Sequence, residues 1–561
     1  MKPWPRHLPD SLDYPAVGLD VVLASVGRTY GDRIAFVDGA ETLTFAQLAN
    51  KATRLACALN DRGIGQGDVV ALQLPNSLWH PVAYFGVVCS GAAAAPLNPL
   101  QPTTALATQL AEVGATALIT HPAAAGRLDA SLVAGFKAVL EIPATSAAPA
   151  TGAGELPIAP TAITELLADG LARDRPRRAP GSLAHLQMTG GTTGRPKGVR
   201  VLHRNLLAHG LQQTAWRTGH LPEIDTDGML RLRPAAEDLA DYPLTPGTGV
   251  QVCVAPLFHG LALCGQLLNL LTGTTSVLPG RFDPHQYLAL VEQYGATSIV
   301  GAPAFYHALL GALDESPYDT TSVRATYCGG APIDATTLAR LRRGFPRAVV
   351  GEGYGLSEAT GSLVSTLVDR ESANPPGTVG LPVPDVQLEI RGADGEPLPT
   401  GETGEIWARG PQITDGYQGA PALTDEQFRD GWLHTGDVGS LDADGFLYLR
   451  GRSKDLVIYK GYNVYPKQLE EVLAEHPAVA QSAVVGVPKP EVGEIPRAFV
   501  LLRPGASVTP DDLMAFVADR VAPYQRVREV ALVDSFPLSA TGKVLKAQLP
   551  KGDLPASVPT P

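Results

Sequence analysis

Helix-like and strand-like segments alternate along this chain, and that alternation limits what it can fold into. "LTFAQLANKATRLACALNDRGI" carries apolar residues at helical spacing and is followed by "DVVALQLP", a short β-rich run ending at Pro75. The pattern returns in "LLNLLTGTTSVLPG" and in "PHQYLALVEQYGATSIVGAP", each a helix leading into a short apolar strand. Repeated α-then-β units favour parallel sheets covered by helices. At 561 residues the chain is too long for one ordinary core, so roughly two to four domains are expected. The pattern shortens after about residue 450, in "LEEVLAEHP" and "VAQSAVVGVP", consistent with a small α+β domain. The boundary is placed in "LRGRSKD", residues 449–455, dividing the chain into 1–450 and 451–561.

Composition removes several function classes. A formal net charge of −12 argues against nucleic acid or an anionic membrane surface as partner. The N-terminal stretch has no apolar core of a signal peptide, and no run approaches the roughly 20 apolar residues of a membrane span, so a cytoplasmic protein is expected. Five scattered cysteines without CxxC spacing suggest neither a disulfide framework nor a zinc site. Three segments look irregular. Residues 143–160 and the tail from Pro550 read as loop or disorder. Residues 217–249, rich in acids, read as a small subdomain or a flap, and the flap reading would have it cover a substrate entrance.

"MTGGTTGRPKGV", residues 188–199, crowds four glycines, three threonines and two basic residues into twelve positions. Glycines let backbone approach a ligand, hydroxyls and amides donate hydrogen bonds, and Lys197 adds positive charge, a set suited to a polyphosphate. It is not the Walker pattern, since Pro196 precedes Lys197 and Gly198 follows it. "SATGKVLK" is not one either, because Val544 follows Lys543. Composition alone leaves a flexible surface turn as the competing reading.

The ordered set "TGGTTGRPKGV", "YGLSEAT", "GEIWARGP", "GWLHTGDVG", "GRSKDLVIYKGYNVYP" and "PLSATGKVLK" resembles the adenylate-forming enzymes. These are acyl-CoA and aryl-CoA synthetases, nonribosomal peptide adenylation domains and luciferases. The resemblance spans about residues 43–546 and is nearest the acyl- and aryl-CoA ligases. It implies an α/β fold: a large N-terminal domain of layered α/β subdomains and a small mobile α+β C-terminal domain. It also implies a two-step reaction, in which ATP and a carboxylic acid give an acyl-adenylate and pyrophosphate, and coenzyme A then displaces AMP. The cofactors and partners implied are ATP, Mg²⁺, coenzyme A and a small-molecule acid, aryl or medium-to-long acyl; a homodimer is compatible with it.

Residue by residue, the resemblance implies that Thr189, Gly191, Thr192, Thr193, Gly194 and Lys197 handle phosphates; Gly190 stands where serine is common. Tyr354 and Gly355 would border adenine, Ser357 would contact phosphate, and Glu358 would be the oxygen ligand of Mg²⁺. "CGGAP" would give a wall at Gly329, Gly330 and Ala331 between adenine and the acid pocket. Asp437 would accept hydrogen bonds from both ribose hydroxyls, with Arg452 as a second contact. Lys543 would stabilise charge between carboxylate and α-phosphate during adenylation. Lys454 lies at the hinge position, and Lys460 and Gly461 would face the site during thioester formation. Phe258, His259, Phe305, Cys328 and Gly353 are the expected acid-pocket residues. His259 stands where amino-acid-activating relatives carry aspartate, which disfavours amino acids. Glu352 departs from the frequent glutamine and puts an acid beside the pocket.

Two alternatives come with this reading: adenylation with a different acceptor (a carrier-protein thiol or an amine) or an unusual oxyanion substrate, and a catalytically silent nucleotide-binding relative, which retention of Glu358, Asp437 and Lys543 opposes.

Overall fold

The helices begin where local chemistry lets them. Thr44 accepts from the Gln47 amide while the Gln47 side chain returns to the Thr44 N–H, a reciprocal cap that starts the helix Phe45–Asp61. Asp283 caps Pro284–Tyr294, with proline at the first position, where its missing N–H costs nothing. These helices feed the strands Val69–Gln73 and Ser298–Gly301, the α-then-β order expected from the sequence.

The computed structural model describes residues 3–125, 128, 130–144, 160–169, 173, 176–189, 197–330, 333–368, 374–539 and 543–552. Two large sheets dominate. In the nine-stranded sheet, Ile34–Asp38, Thr275–Leu278, Val250–Val252, Ser298–Gly301, Ala325–Cys328 and Val349–Leu356 run parallel in that spatial order, with antiparallel strands at both edges. The seven-stranded sheet is parallel from Thr161–Ala162 to Leu183–Thr189 and ends in antiparallel Lys197–Leu202. Helices Leu19–Tyr30, Phe45–Asp61, Trp79–Ser90, His203–Thr218 and Gly260–Leu271 share one core with both sheets: Phe36 and Leu278 come from the first, Leu72, Ile119 and Val201 from the second. Helices sandwiched this way are buried on several sides, and His203–Thr218 has 14 of its 16 residues buried.

A five-stranded antiparallel sheet, from Gln387–Arg391 to Leu447–Arg452, completes the large N-terminal part. Asp437 and Arg452 are directly paired in it, so the strand continues two residues past 450 before the short helical turn Ser453–Asp455. The remaining chain folds around its own sheet, built on the long hairpin Val479–Lys489 and Gly493–Leu502, and around its own apolar clusters. This is the layered α/β body with a smaller α+β domain that the sequence led us to expect.

The acidic segment forms a hairpin, His220–Ile224 with Leu230–Pro234. It packs on the helix Leu19–Tyr30, where the Leu230 N–H donates to Ser25 Oγ at 2.9 Å and Arg28 meets Asp227 at 3.0 Å. The chain beyond it closes over the C-terminal end of His203–Thr218: Leu239 and Tyr242 sit against Gly219, and the Leu244 N–H donates to the Arg217 carbonyl at 3.3 Å. It therefore forms a packed hairpin held by N-terminal residues. Most of the 143–160 stretch and of the tail lies outside the described residues. All five cysteines are free and buried.

Candidate active site

Thr189 ends one strand and Lys197 begins the next, and the two are paired antiparallel. Gly191, Thr192, Thr193 and Gly194 between them, and Ala331 in "CGGAP", lie outside the described residues. The strand after the loop is held by residues 414–418: the Gln418 N–H donates to the Gly198 carbonyl at 2.8 Å and the Arg200 N–H to the Gly416 carbonyl at 2.9 Å. On this segment sits Tyr417, which the sequence reading missed. Its hydroxyl donates to Glu358 Oε1 at 2.6 Å, and the Lys197 ammonium lies 5.9 Å from its ring centroid. One tyrosine thus brings the loop lysine and the acidic residue together. The signal available in sequence was Gly416, held at φ +119° before Tyr417.

Glu358 and Ser357 occupy a short helical turn, Ser357–Ala359, directly after the strand Val349–Leu356. The Thr414 N–H donates to the Glu358 carbonyl at 2.9 Å. Gly355 is forced by packing, since a Cβ there would lie 2.0 Å from the Gly361 carbonyl oxygen. Tyr354 is buried, and its hydroxyl donates to Asp437 Oδ2 at 2.8 Å. Arg452 Nε meets the other oxygen, Asp437 Oδ1, at 3.1 Å. Burial pushes the Asp437 carboxyl up, opposed by the Arg452 charge and the Tyr354 hydrogen bond, while Asp437 holds the Arg452 guanidinium further up.

Lys543 comes back to this same corner. Its backbone pairs with Ser539 through two hydrogen bonds, Ser539 N–H to the Lys543 carbonyl at 2.8 Å and Lys543 N–H to Ser539 Oγ at 3.1 Å. Burial, and then the Arg452 charge, lower the ammonium from its usual value, with Asp437 acting the other way. His259 feels Lys543 as well: burial first and then that ammonium lower the imidazole, which favours its neutral form. His259 caps the helix Gly260–Leu271, its Nδ1 accepting from the Leu261 N–H at 3.4 Å. The "PLFHG" turn is fixed from two sides. Gln187 donates to the Phe258 carbonyl at 3.2 Å, and Asn76 Oδ1 accepts from the Leu257 N–H at 2.8 Å.

The pocket residues divide between the two faces of the nine-stranded sheet. Gly301, Cys328 and Glu352 are in register, and Phe305 packs over Gly301 with its ring 5.0 Å from Tyr287, so Phe305 and Cys328 belong to the outer helix layer. Gly329 turns the other way, where a Cβ would touch Leu261 at 3.4 Å. Gly353 has room only up to the Val364 carbonyl, 3.2 Å from a Cβ, and Gly330 takes φ +80°. Lys460 and Gly461 are not in this corner. They form the exposed turn between Val457–Tyr459 and Tyr462–Val464, with φ +51° and +82°, the positive pair a tight hairpin requires. Lys454 lies exposed in the turn that joins the two parts of the chain.

Lys197, Tyr417 and Glu358 thus form one cluster and Tyr354, Asp437 and Arg452 another, with the Lys543 ammonium feeling the charges of the second. The AMP-binding enzyme family profile matches residues 23–418, and the AMP-binding enzyme C-terminal domain matches residues 468–543. This chain belongs to the AMP-binding enzyme family, and its relatives place it among the CoA ligases. It is 31% identical over 572 residues to a long-chain-fatty-acid–CoA ligase of Bacillus subtilis (strain 168), covering 98% of this chain and 97% of that one. It is 35% identical over 517 residues to a feruloyl-CoA synthase of Amycolatopsis sp, covering 91% and 94%. The crystal structure of ATP-bound MatB from Rhodopseudomonas palustris superposes with a TM-score of 0.79 at 27% identity, covering 94% of this chain and 97% of that one. No helix among the described residues is long and apolar enough to cross a membrane.

Proposed function

We propose that the protein joins a carboxylic acid to coenzyme A in two steps at the junction of Glu358, Asp437 and Lys543. The observation that carries this reading is the pairing of the Asp437 carboxylate with the Tyr354 hydroxyl and Arg452, together with the Tyr417–Glu358 hydrogen bond, while the Arg452 charge also lowers the Lys543 ammonium of the small domain. In the first step a carboxylate oxygen of the acid attacks the α-phosphorus of ATP, the bond to the β-phosphate breaks, and pyrophosphate leaves. Negative charge rises on the α-phosphate, and a preplaced ammonium lowers that barrier without reorganising water. In the second step the thiol sulfur attacks the acyl carbon and AMP departs.

Asp437 is suited to both ribose hydroxyls, with Tyr354 and Arg452 fixing its oxygens from the protein side. Tyr417 leaves Glu358 Oε2 without a hydrogen-bond partner among the described residues. An oxygen donor of this kind fits Mg²⁺, which takes one or two carboxylates alongside substrate phosphates, and the ion would supply charge neutralisation there. Ser357, Thr189 and Lys197 would hold phosphate oxygens. Lys454 is assigned as the hinge that exchanges Lys543 for the Lys460–Gly461 turn between steps. Cytoplasmic location accords with five reduced thiols.

The test is pyrophosphate release from purified protein with ATP and Mg²⁺ across aryl, fatty, dicarboxylic and amino acids, with and without coenzyme A, followed by mass spectrometry. Acid-dependent release ending in an acyl-CoA is expected. Adenylate formation that ignores coenzyme A would move the acceptor to another nucleophile.

A further inference from the structure

A helix buried on most sides is ordinarily apolar all round. His203–Thr218 is buried and yet rich in polar side chains, and most of them are matched. His203 accepts from the Leu19 N–H at 3.1 Å, Asn205 donates to the Pro411 and Ile413 carbonyls at 3.0 and 2.8 Å, and Gln212 donates to the Pro384 carbonyl at 2.6 Å. Thr214, Trp216 and Thr218 each donate to a backbone carbonyl. Besides Gln212 Oε1, three residues break the rule: His209 Nδ1, both polar atoms of Gln213 and Arg217 Nε are buried without a hydrogen-bond partner. They stand at i, i+4 and i+8, one stripe of the helix about 12 Å long.

The stripe has an end and a facing wall. At one end a Cβ on Gly361 would lie 2.5 Å from the His209 ring, three residues after Glu358, so this end abuts the catalytic turn. At the other end the Arg217 guanidinium lies 3.7 Å from the centroid of Tyr327, whose own hydroxyl is buried and unmatched. Among the described residues Arg217 has no ion pair, and its side chain is part-buried. Tyr327 is one residue before Cys328 and points to the sheet face opposite it, the face on which Gly329 meets Leu261. Four residues after Leu261 in the next helix, Gly265 has nothing within 4 Å of where a Cβ would stand.

A cation or polar group enclosed without a partner is costly to leave unmatched. An aliphatic tail laid along this stripe would leave every one of these groups unmatched; an anion would satisfy the guanidinium directly and can accept from the Tyr327 hydroxyl and the Gln213 amide. We propose that the stripe is the far wall of the acid pocket and that Arg217 receives a second anionic group, so that the preferred substrate is an aryl or acyl acid carrying a distal carboxylate. This rests on the ligase reading above, which fixes where the reacting carboxylate lies.

The experiment compares acid-dependent pyrophosphate release for α,ω-dicarboxylic acids of graded length, monocarboxylic acids of the same lengths, and aryl acids with and without a second carboxylate. It uses the full chain and its Arg217→Met and Tyr327→Phe variants. The expected result is a dicarboxylate preference in kcat/KM that falls about 100-fold in Arg217→Met, with rates on monocarboxylates changed less than about threefold. Tyr327→Phe, which keeps the ring under the guanidinium, should cost the dicarboxylate about tenfold. A thermal shift by dicarboxylate that is present in the unaltered protein and lost in Arg217→Met supports the same assignment without turnover. Equal use of monocarboxylates, with a ratio unmoved by either substitution, overturns the inference and leaves the ligase standing; so does preference for a neutral phenolic end. Release with no acid at all overturns both.

Discussion

Two lysines of the same small domain, both exposed, face different charges. Lys543 is held by the Ser539 pair and the bridge between Leu538 and Val544, beside Lys546, which meets Glu470 at 2.7 Å. Its ammonium is lowered by burial and by Arg452 of the large domain. Lys460 is exposed at a hairpin tip, its N–H donating to the Val492 carbonyl at 2.8 Å and its ammonium 5.6 Å from the ring of its own neighbour Tyr459. One lysine is therefore electrostatically coupled to Asp437 and Arg452 of the large domain, whereas among the described residues the interactions of the other stay within its own domain. On the proposed reading the described arrangement suits adenylation, and a second arrangement would bring the Lys460 turn to the same corner.

Breaking the coupled side should have the largest effect. Lys543→Ala is expected to lower adenylation about 10²–10³-fold, read by ATP–pyrophosphate exchange, while thioester formation from a supplied acyl-adenylate stays within about threefold. Equal loss of both half-reactions would remove the division between the two lysines. Next comes the group that Lys543 faces. Asp437→Asn keeps an acceptor for Tyr354 but deletes the charge that Arg452 and Lys543 feel. The KM for ATP should rise roughly 10–100-fold, and the lysine should lose its proton at lower pH, since Asp437 is what holds its ammonium up. An unchanged alkaline limb of the adenylation profile would count against that placement.

How far the sequence carried these assignments differs between the two sides of the molecule. Elements with strong local signals were legible: the Thr44–Gln47 cap, the Asp283–Pro284 start, the short β-branched strands and the order of the six motifs. Glu358, Asp437, Arg452 and Lys543 could be named because they lie inside those motifs. Tyr417 could not, because its role depends on residues 59 positions back at Glu358 and more than 200 back at Lys197, a meeting that only the sheet connections create. The orientation of Phe305 and Cys328 was hidden for a related reason: strand alternation decides the face, and the strand Ala325–Cys328 is four residues long. The stripe of His209, Gln213 and Arg217 has plain helical spacing, but on sequence alone it reads as a solvated face. Its meaning comes from the two sheets that bury it.

On the uncoupled side the effect should be smaller and confined to the second step. Gly461→Leu places a side chain at φ +82°, at a cost of about 1–2 kcal/mol within the hairpin, and fills the space beside the exposed Tyr462–Tyr524 stack. Thioester formation is expected to fall about tenfold while ATP–pyrophosphate exchange stays within twofold. A parallel fall in both would mean that the turn acts through stability of the small domain, which a lowered melting temperature would show.

The smallest effect on turnover is expected at the seam between the two domains, at Glu352. Burial raises its carboxyl from 4.5 to about 7; Lys467 of the small domain and Arg342 oppose the rise, Glu471 adds to it, and the Ile333 N–H donates to the carboxyl. Because the folded-state value lies above the unfolded one, the contribution to stability is complete below about pH 4.5 and is lost as the pH climbs through about 7. The amount is on the order of 1–3 kcal/mol once partial exposure is allowed for. Glu352→Gln keeps an acceptor for the Ile333 N–H and removes the titration, so urea unfolding midpoints between pH 5 and 8 should flatten relative to the unaltered protein. If Lys467 leaves Glu352 when the Lys460 turn moves in, that arrangement loses an attraction for the ionised carboxylate. The substitution should then shift the balance toward thioester formation by no more than about twofold, and only above pH 7, where the carboxylate is charged. A shift of the same size at pH 5 would separate Glu352 from the exchange between the two lysines.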